Sequence, residues 1–461
     1  MAVSEPLTQS EGSLDQRFAQ SMGSLLGPDF PSDIGLAVSG GGDSMAMLYL
    51  AHNWTRVWGV RLWVATVDHG LRPEAAAEAA MVAEECRSLG WPHATLRWHW
   101  DGQGNVQNEG RQARLGLIER WRGGLRHVLM AHTQDDLAET FLIRLKRGSG
   151  VDGLSAMRAK RLVHVTQPVP EEIAGEVAGA TPVASDAPSA GFHVIRPCLE
   201  MRREELRHYL RTLQGRWVDD PSNEDTHYDR VRMRRLLATL EGEGLGVETI
   251  AATASRMARA KAALSARALA VWADLGNEGQ ALSQSTGDIL FGRAGFDEVE
   301  QDSQMRLLAA ALQFVSTSPY RPRAEATEAL LDRILSGGGG TLQGCDVRTN
   351  RDTICVSREL SAVRDQVNSV GDGALWDGRW QVFHPKFKGL AIRALGEDGW
   401  AQCGARTGGA PPFRAALVLP SVWDGGRLVA CDALAIGPGN TTQLQAMGQE
   451  RMTFAKFLLS H

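Results

Sequence analysis

The chain has 461 residues, a net charge of −5, 43% hydrophobic and 22% charged residues, the balance of an ordinary globular protein of two to four domains. No apolar run reaches the roughly 18 residues of a membrane span, and MAVSEPLTQSEGSLDQRF lacks the basic start and apolar core of a secretory signal. Cys86, Cys198, Cys345, Cys355, Cys403 and Cys431 form no C-x-x-C pair, so free thiols in a reducing cytoplasm are expected rather than a zinc ribbon, a disulfide framework or a paired-cysteine redox site. The acidic balance runs against a nucleic-acid binder, although a local basic patch is what contacts phosphates.

From Ile34 to about Gly150, short apolar runs alternate with helix-like stretches. Ile34 to Val38, Leu62 to Val67, Val128 to Ala131 and, less cleanly, His93 to Trp100 read as strands. Ser44 to Trp54, Glu74 to Leu89, Asn108 to Trp121 and Asp135 to Lys146 carry helical periodicity. The alternation predicts an α/β fold with a parallel, Rossmann-like sheet covered on both faces and ligands at the carboxyl ends of its strands. Residues 167–192, rich in Ala, Pro, Gly and acid, read as a mobile loop within a first domain of residues 1–235. Residues 236–340 read as a helical module. SGGGGT (Ser336 to Thr341) reads as a turn or linker, and 341–461 as a small α+β domain.

Between the first strand and its helix stands Ser39-Gly40-Gly41-Gly42-Asp43-Ser44. Glycines let a ligand approach the backbone, and successive N–H groups at a helix start bind anions. There is no Walker lysine, and a Rossmann glycine loop holds no acid. An acid beside phosphates calls for a divalent cation, and Mg²⁺ bridges carboxylate and phosphate. A tight turn with Asp43 as a first-turn helix acid is the plain alternative.

Three further stretches stand at strand ends or helix starts. Asp68 and His69, in VDHGLR, end the second strand, where a turn cluster is the plain alternative. Arg111 and Arg114 share one helix face, which is otherwise simply solvated. His132, Asp135, Asp136 and Glu139, in AHTQDDLAET, end the last strand and open a helix. Capping explains one of those acids but not the group.

S-G-G-x-D-S after a strand resembles the PP-loop of the ATP pyrophosphatases, which cleave ATP between the α and β phosphates and adenylate an oxygen. V-D-H-G-L-R, and A-H-x-x-D-D-x-x-E-T followed by R-G-S-G-x-x-G-L, resemble one subgroup, the tRNA(Ile)-lysidine synthetases. The Asn108-Glu109 block with Arg111 and Arg114 is similar to the family's, with shorter spacing. Arg196-Pro197, Arg202-Arg203-Glu204-Glu205-Leu206, Trp217 to Asn223 and the arginines 230 to 235 extend the resemblance over about Ile34 to Leu236.

The resemblance implies a carbon–nitrogen ligase that joins free L-lysine to C2 of the wobble cytidine of an isoleucine tRNA with a CAU anticodon. The cofactors implied are ATP and Mg²⁺, in the cytoplasm, with no membrane partner. It implies nucleotide contacts from Ser39, Gly40, Gly41, Gly42, Asp43, Ser44 and His69, with the metal on Asp43. Lysine falls to Asp135, Asp136 and Glu139, and the catalytic roles to Asp43, Asp136 and Glu139. The tRNA phosphates fall to Arg111, Arg114, Arg144, Arg147, Arg202, Arg203, Arg230, Arg232 and Arg234, with the helical and C-terminal modules gripping the tRNA. Two other readings stand beside it. One is a PP-loop cytidine thiolase, which usually relies on paired cysteines. The other is a non-catalytic RNA- or nucleotide-binding protein with a degenerate loop.

Overall fold

The structure, a computed structural model, describes residues 12–70, 74–99, 106–163, 174–183, 191–219, 229–371, 375–404, 411–444 and 453–460. The chain divides into two compact units, Met1–Ala260 and Lys261–His461.

The first unit runs α1 (Leu14–Leu26), β1 (Asp33–Ala37), α2 (Gly42–Trp58), β2 (Arg61–Asp68), α3 (Ala75–Leu89), β3 (His93–Trp98), α4 (Val106–Trp121), β4 (His127–Met130) and α5 (Gln134–Lys146). Then follow α6 (Val151–Leu154), β5 (Lys160–Val163), β6 (Ala174–Gly179), β7 (Phe192–Ile195), α7 (Arg203–Thr212), α8 (Asp229–Gly242) and the first half of α9 (Val247–Leu275), whose second half belongs to the second unit. The strands form one sheet in the order β5-β7-β4-β1-β2-β3-β6. The five inner strands are parallel; the edge strands β5 and β6 run antiparallel.

Apolar runs bury on both faces, as the sequence predicts. Ile34, Leu36, Leu62 and Val64 pack with Met45, Leu48 and Phe18 on one face. Leu96 and Val128 pack with Leu117, Ile118 and Trp121 on the other. Each fully buried aliphatic or aromatic side chain contributes on the order of 1.5–3 kcal/mol. Successive strands step from β1 to β2 to β3, whereas β4 returns to the far side of β1. The carboxyl ends of β1 and β4 therefore flank the topological switch point, where such sheets hold ligands.

Two expectations differ from the structure. Residues 167–192 are not all loop, because Ala174–Gly179 pairs with β3 as an edge strand. Antiparallel edge pairing uses backbone groups and demands little of the side chains, which is how AGEVAG escapes an apolar pattern. The remainder of that segment, apart from 180–183 and 191–192, lies outside the described residues.

The stretch 236–340 is not a purely helical module. It contains β8 (Gly276–Ala281) and β9 (Gln284–Gly292), then α10 (Arg293–Asp297), α11 (Gln301–Ser316) and α12 (Ala324–Leu335). With β10 (Gly340–Leu342), β11 (Cys345–Thr349) and β12 (Thr353–Arg358), the hairpin forms a five-stranded sheet, β10-β11-β12-β9-β8. Trp272, Phe291, Leu307, Ile334 and Val347 share one core under it. The second unit thus joins sequence on both sides of residue 340, while α8 belongs with α5 in the first unit through Leu142 and Leu237. SGGGGT is a tight turn into β10: Gly337 has φ +85°, and a Cβ on Gly339 would stand 2.2 Å from the Val347 carbonyl oxygen. A four-stranded antiparallel sheet of Val367–Ser369, Ala391–Ala394, Pro420–Asp424 and Arg427–Ala430 follows. All six cysteines are free. No helix among the described residues is long and apolar enough to cross a membrane.

Candidate active site

The glycine loop leaves β1 and enters α2. Gly40 has φ +86°, a conformation that L side chains rarely adopt, so glycine is required there. A Cβ on Gly42 would make only ordinary contacts, with Arg207 Cγ at 3.4 Å and Trp217 Cδ1 at 3.6 Å, so neither φ nor space requires glycine there. Gly41, the α2 N-cap, contributes no side chain to the cap. The loop is braced internally. Ser44 Oγ accepts from the Ser39 N–H (3.1 Å) and donates to the Gly41 carbonyl (2.9 Å). The first amides of α2 face out of the helix end, as first-turn amides do, and form an anion-binding pole.

Asp43, the second residue of α2, keeps Oδ1 buried and without a hydrogen-bond partner among the described residues. Burial raises its carboxyl above the usual aspartate range, against the opposing pull of Arg203. A lone unpartnered carboxylate oxygen next to an anion pole fits Mg²⁺, which typically takes one or two carboxylates and completes its shell with substrate phosphates and water.

At the end of β4, Thr133 caps α5. Its Oγ1 accepts from the Asp136 N–H (3.3 Å), while Asp136 Oδ2 accepts from the Thr133 N–H (2.9 Å) and Oγ1 (3.0 Å). This reciprocal box fixes the Asp136 rotamer and leaves Oδ1 facing the site. Burial acts to raise the Asp136 carboxyl, but Arg203, the Thr133 N–H and His132 outweigh it and hold it low. Glu139, one turn on, is fully buried. Its Oε1 accepts from Arg203 Nη1 (2.9 Å) and Arg234 Nε (3.0 Å), and Oε2 has no hydrogen-bond partner among the described residues.

Arg203 opens α7 and joins these halves. Its Nε donates to Asp43 Oδ2 (3.0 Å), Nη1 to Glu139, and Nη2 to Asp136 Oδ1 (3.2 Å). Its backbone N–H, an unpaired first-turn donor, is satisfied by Asp135 Oδ2 at 2.7 Å. The same Asp135 oxygen lies 3.5 Å from Arg202 Nε. Helix α7 is held in place by α1 and α2: Arg17 Nη1 donates to Glu205 (2.6 Å), Asn53 to the Tyr209 hydroxyl (2.9 Å), and Tyr209 to Asp15 (3.0 Å). Leu206 and Leu210 are fully buried beneath it.

Two histidines flank the site in neutral form. His132, pushed down to about 4 by burial and by Arg196, accepts at Nδ1 from Arg196 Nε (3.3 Å). His69, pushed to about 4 by burial and by Arg114, lies at the end of β2 with Nε2 3.4 Å from Arg114 Nη2 and its ring edge-on to Trp98.

The structure brings together Asp43, Asp135, Asp136, Glu139, Arg202, Arg203 and Arg234, and sets His69 beside Arg114. Several arginines expected on phosphates are engaged elsewhere. Arg203 lies inside the acidic cluster, only 17% exposed. Arg144 donates to the Gly153 and Ser155 carbonyls (2.7 and 3.1 Å), closing the turn after α5. Arg202 pairs with Glu248 and Asp135. Arg147, Arg230, Arg232 and Arg235 are exposed, Arg232 pairing with Asp229. The Arg111 side chain lies outside the described residues, as do residues 220–223 of the Trp217 block.

Sequence reasoning missed Arg207, beside Gly42; Arg196 was legible only as part of the Arg196-Pro197 block, and the structure sets it on His132. Arg207 had a signal: it follows Arg203 by four residues and so shares its helix face.

A PP-loop domain family model matches residues 14–241. The chain is 37% identical to the tRNA(Ile)-lysidine synthase of Ruegeria pomeroyi over 94% of its own length and 95% of the relative's. The chain belongs to the tRNA(Ile)-lysidine synthase family. The enzyme of that name from Bradyrhizobium sp. strain BTAi1 is 36% identical over 71% of this chain and 88% of its own. That from Wolbachia pipientis wMel is 32% identical over 76% and 77%. The family assignment agrees with the α/β fold and with the glycine loop at the switch point.

Proposed function

We propose that this chain uses ATP to ligate free L-lysine to C2 of the wobble cytidine of an isoleucine tRNA with a CAU anticodon, in the cytoplasm. The observation that carries this reading is the pairing of two half-sites across the switch point. One is an anion pole with a free carboxylate oxygen at β1. The other is an acidic pair at β4, Asp136 and the fully buried Glu139.

In this reading the amides and hydroxyls of Ser39 to Ser44 hold the triphosphate, with His69 and Arg114 beside the nucleotide. Asp43, through its unpartnered Oδ1, would hold Mg²⁺, which when bound would neutralise charge developing on the phosphates. The C2 oxygen of cytidine takes the adenylyl group and pyrophosphate leaves. The ε-amine of lysine then forms the bond to C2, and the C2 oxygen departs with AMP.

Asp136 and Glu139 bind the ammonium, with Asp135 at the margin. A free ε-amine is about one part in a thousand neutral near pH 7.4, a deficit of roughly 4 kcal/mol. Desolvation of the ammonium in the site, with its proton passing to Glu139 Oε2, offsets that deficit. Exposed Arg147, Arg230, Arg232 and Arg235 contact tRNA phosphates, together with Arg111, and the second unit also grips the tRNA.

The test is incorporation of labelled lysine into tRNA with ATP and Mg²⁺. Label that depends on ATP and falls at least tenfold in Asp136→Asn supports the reading. Absence of label, with no pyrophosphate released, contradicts it.

A further inference from the structure

We propose that Arg203 is the positioning residue that couples the nucleotide subsite to the lysine subsite, by occupying in the ligand-free protein the place of the substrate ammonium. This rests on the assignment of Asp136 and Glu139 to lysine. Each of the three guanidinium nitrogens donates to a different acid, from two helices: Nε to Asp43 of α2, Nη1 to Glu139 and Nη2 to Asp136 of α5. Each acid gives Arg203 a single oxygen. Asp43 Oδ1 and Glu139 Oε2 stay buried without a partner among the described residues, and the Glu139 side chain is only 1% exposed. A carboxylate oxygen so buried is costly unless something charged or polar reaches it.

The arrangement fixes the sign of the coupling. An ammonium arriving at Asp136 and Glu139 meets a like charge already there and binds weakly while Arg203 stays. Triphosphate on the glycine loop lies on the Asp43 side and draws the guanidinium toward its oxygens, since planar bidentate donors favour phosphate. Asp136 then loses its guanidinium and Glu139 keeps only Arg234, so lysine binds the two acids more tightly. Nucleotide therefore meets the cost of moving Arg203, and lysine afterwards does not. By linkage, lysine tightens nucleotide by the same factor. Arg207, one turn along α7 and beside Gly42, marks the side to which the guanidinium swings.

The experiment is calorimetric titration of lysine into the full chain, with and without Mg²⁺ and α,β-methylene-ATP, which cannot be cleaved at the α–β bond. In the natural chain the nucleotide should lower the lysine Kd at least fivefold. In Arg203→Gln the two Kd values should agree within twofold, and lysine alone should bind more tightly than to the natural chain. Arg203→Lys, a point charge unable to span three carboxylates, should give an intermediate ratio and serves if the glutamine variant does not fold. An undiminished ratio in the variants, or no nucleotide effect in the natural chain, overturns the proposal. Asp136→Asn, titrated alongside, separates the two layers: unchanged lysine affinity there defeats the lysine subsite itself.

Discussion

Arg196 donates through Nε to Nδ1 of His132 at 3.3 Å, which fixes the imidazole as the neutral tautomer with its proton on Nε2. A guanidinium has no lone pair to offer, so His132 must accept at Nδ1. The histidine at the end of β4 is therefore a hydrogen-bond donor through Nε2 at neutral pH, not an acid.

That state has a pH consequence. His69, His93, His127 and His132 are each depressed to about 4, chiefly by burial. The unfolded chain binds their protons at about 6.5, so stability is full above that pH and falls as pH drops from 6.5 toward 4. Urea denaturation at pH 7.5 and pH 5 should show a loss on the order of 1 kcal/mol per histidine. His132→Gln should make the decline shallower. Equal stability at both pH values contradicts the assignment.

The α5 cap links folding to the site. Thr133→Ala removes the hydroxyl that accepts from the Asp136 N–H and donates to its carboxylate. It should cost about 1 kcal/mol in stability. Because Asp136 loses its rotamer lock, lysine KM should rise more than the KM for ATP, which a purely structural loss would not produce. Thr133→Ser should restore both.

The loop glycines should separate by backbone angle. Gly40→Ala forces a side chain into the left-handed region and should cost roughly 1–2 kcal/mol by thermal or chemical melting. Gly41→Ala meets only Ser39 Oγ, at 3.6 Å, so it should fold normally. Any loss of activity in Gly41→Ala then reports on nucleotide approach alone.

The tRNA surface is tested by salt. Each lost phosphate contact should reduce the slope of log K against log salt by about one. Arg230→Ala and Arg235→Ala should each do so. Arg144→Ala should instead destabilise the chain, since that side chain closes the turn at Gly153 and Ser155.

The central sheet was legible where β1, β2 and β4 are short apolar runs, less cleanly at β3, and where α2 to α5 repeat at helical spacing; β7 was not read as a strand. The loop and the acids were legible because they lie on short contiguous stretches at strand ends. What escaped depends on distant pairing. β6 and β8, AGEVAG and GNEGQA, lack apolar alternation and exist through their partners' backbones. Arg203 reads in sequence as one of many exposed arginines. Its position among three acids follows from the packing of α7 on α1 and α2, which no local pattern announces.

The most direct test is a crystal structure with α,β-methylene-ATP, Mg²⁺ and lysine bound. The phosphates should lie against Ser39 to Ser44, and the ε-ammonium within hydrogen-bond distance of Asp136 or Glu139. Either ligand seated elsewhere would contradict the account.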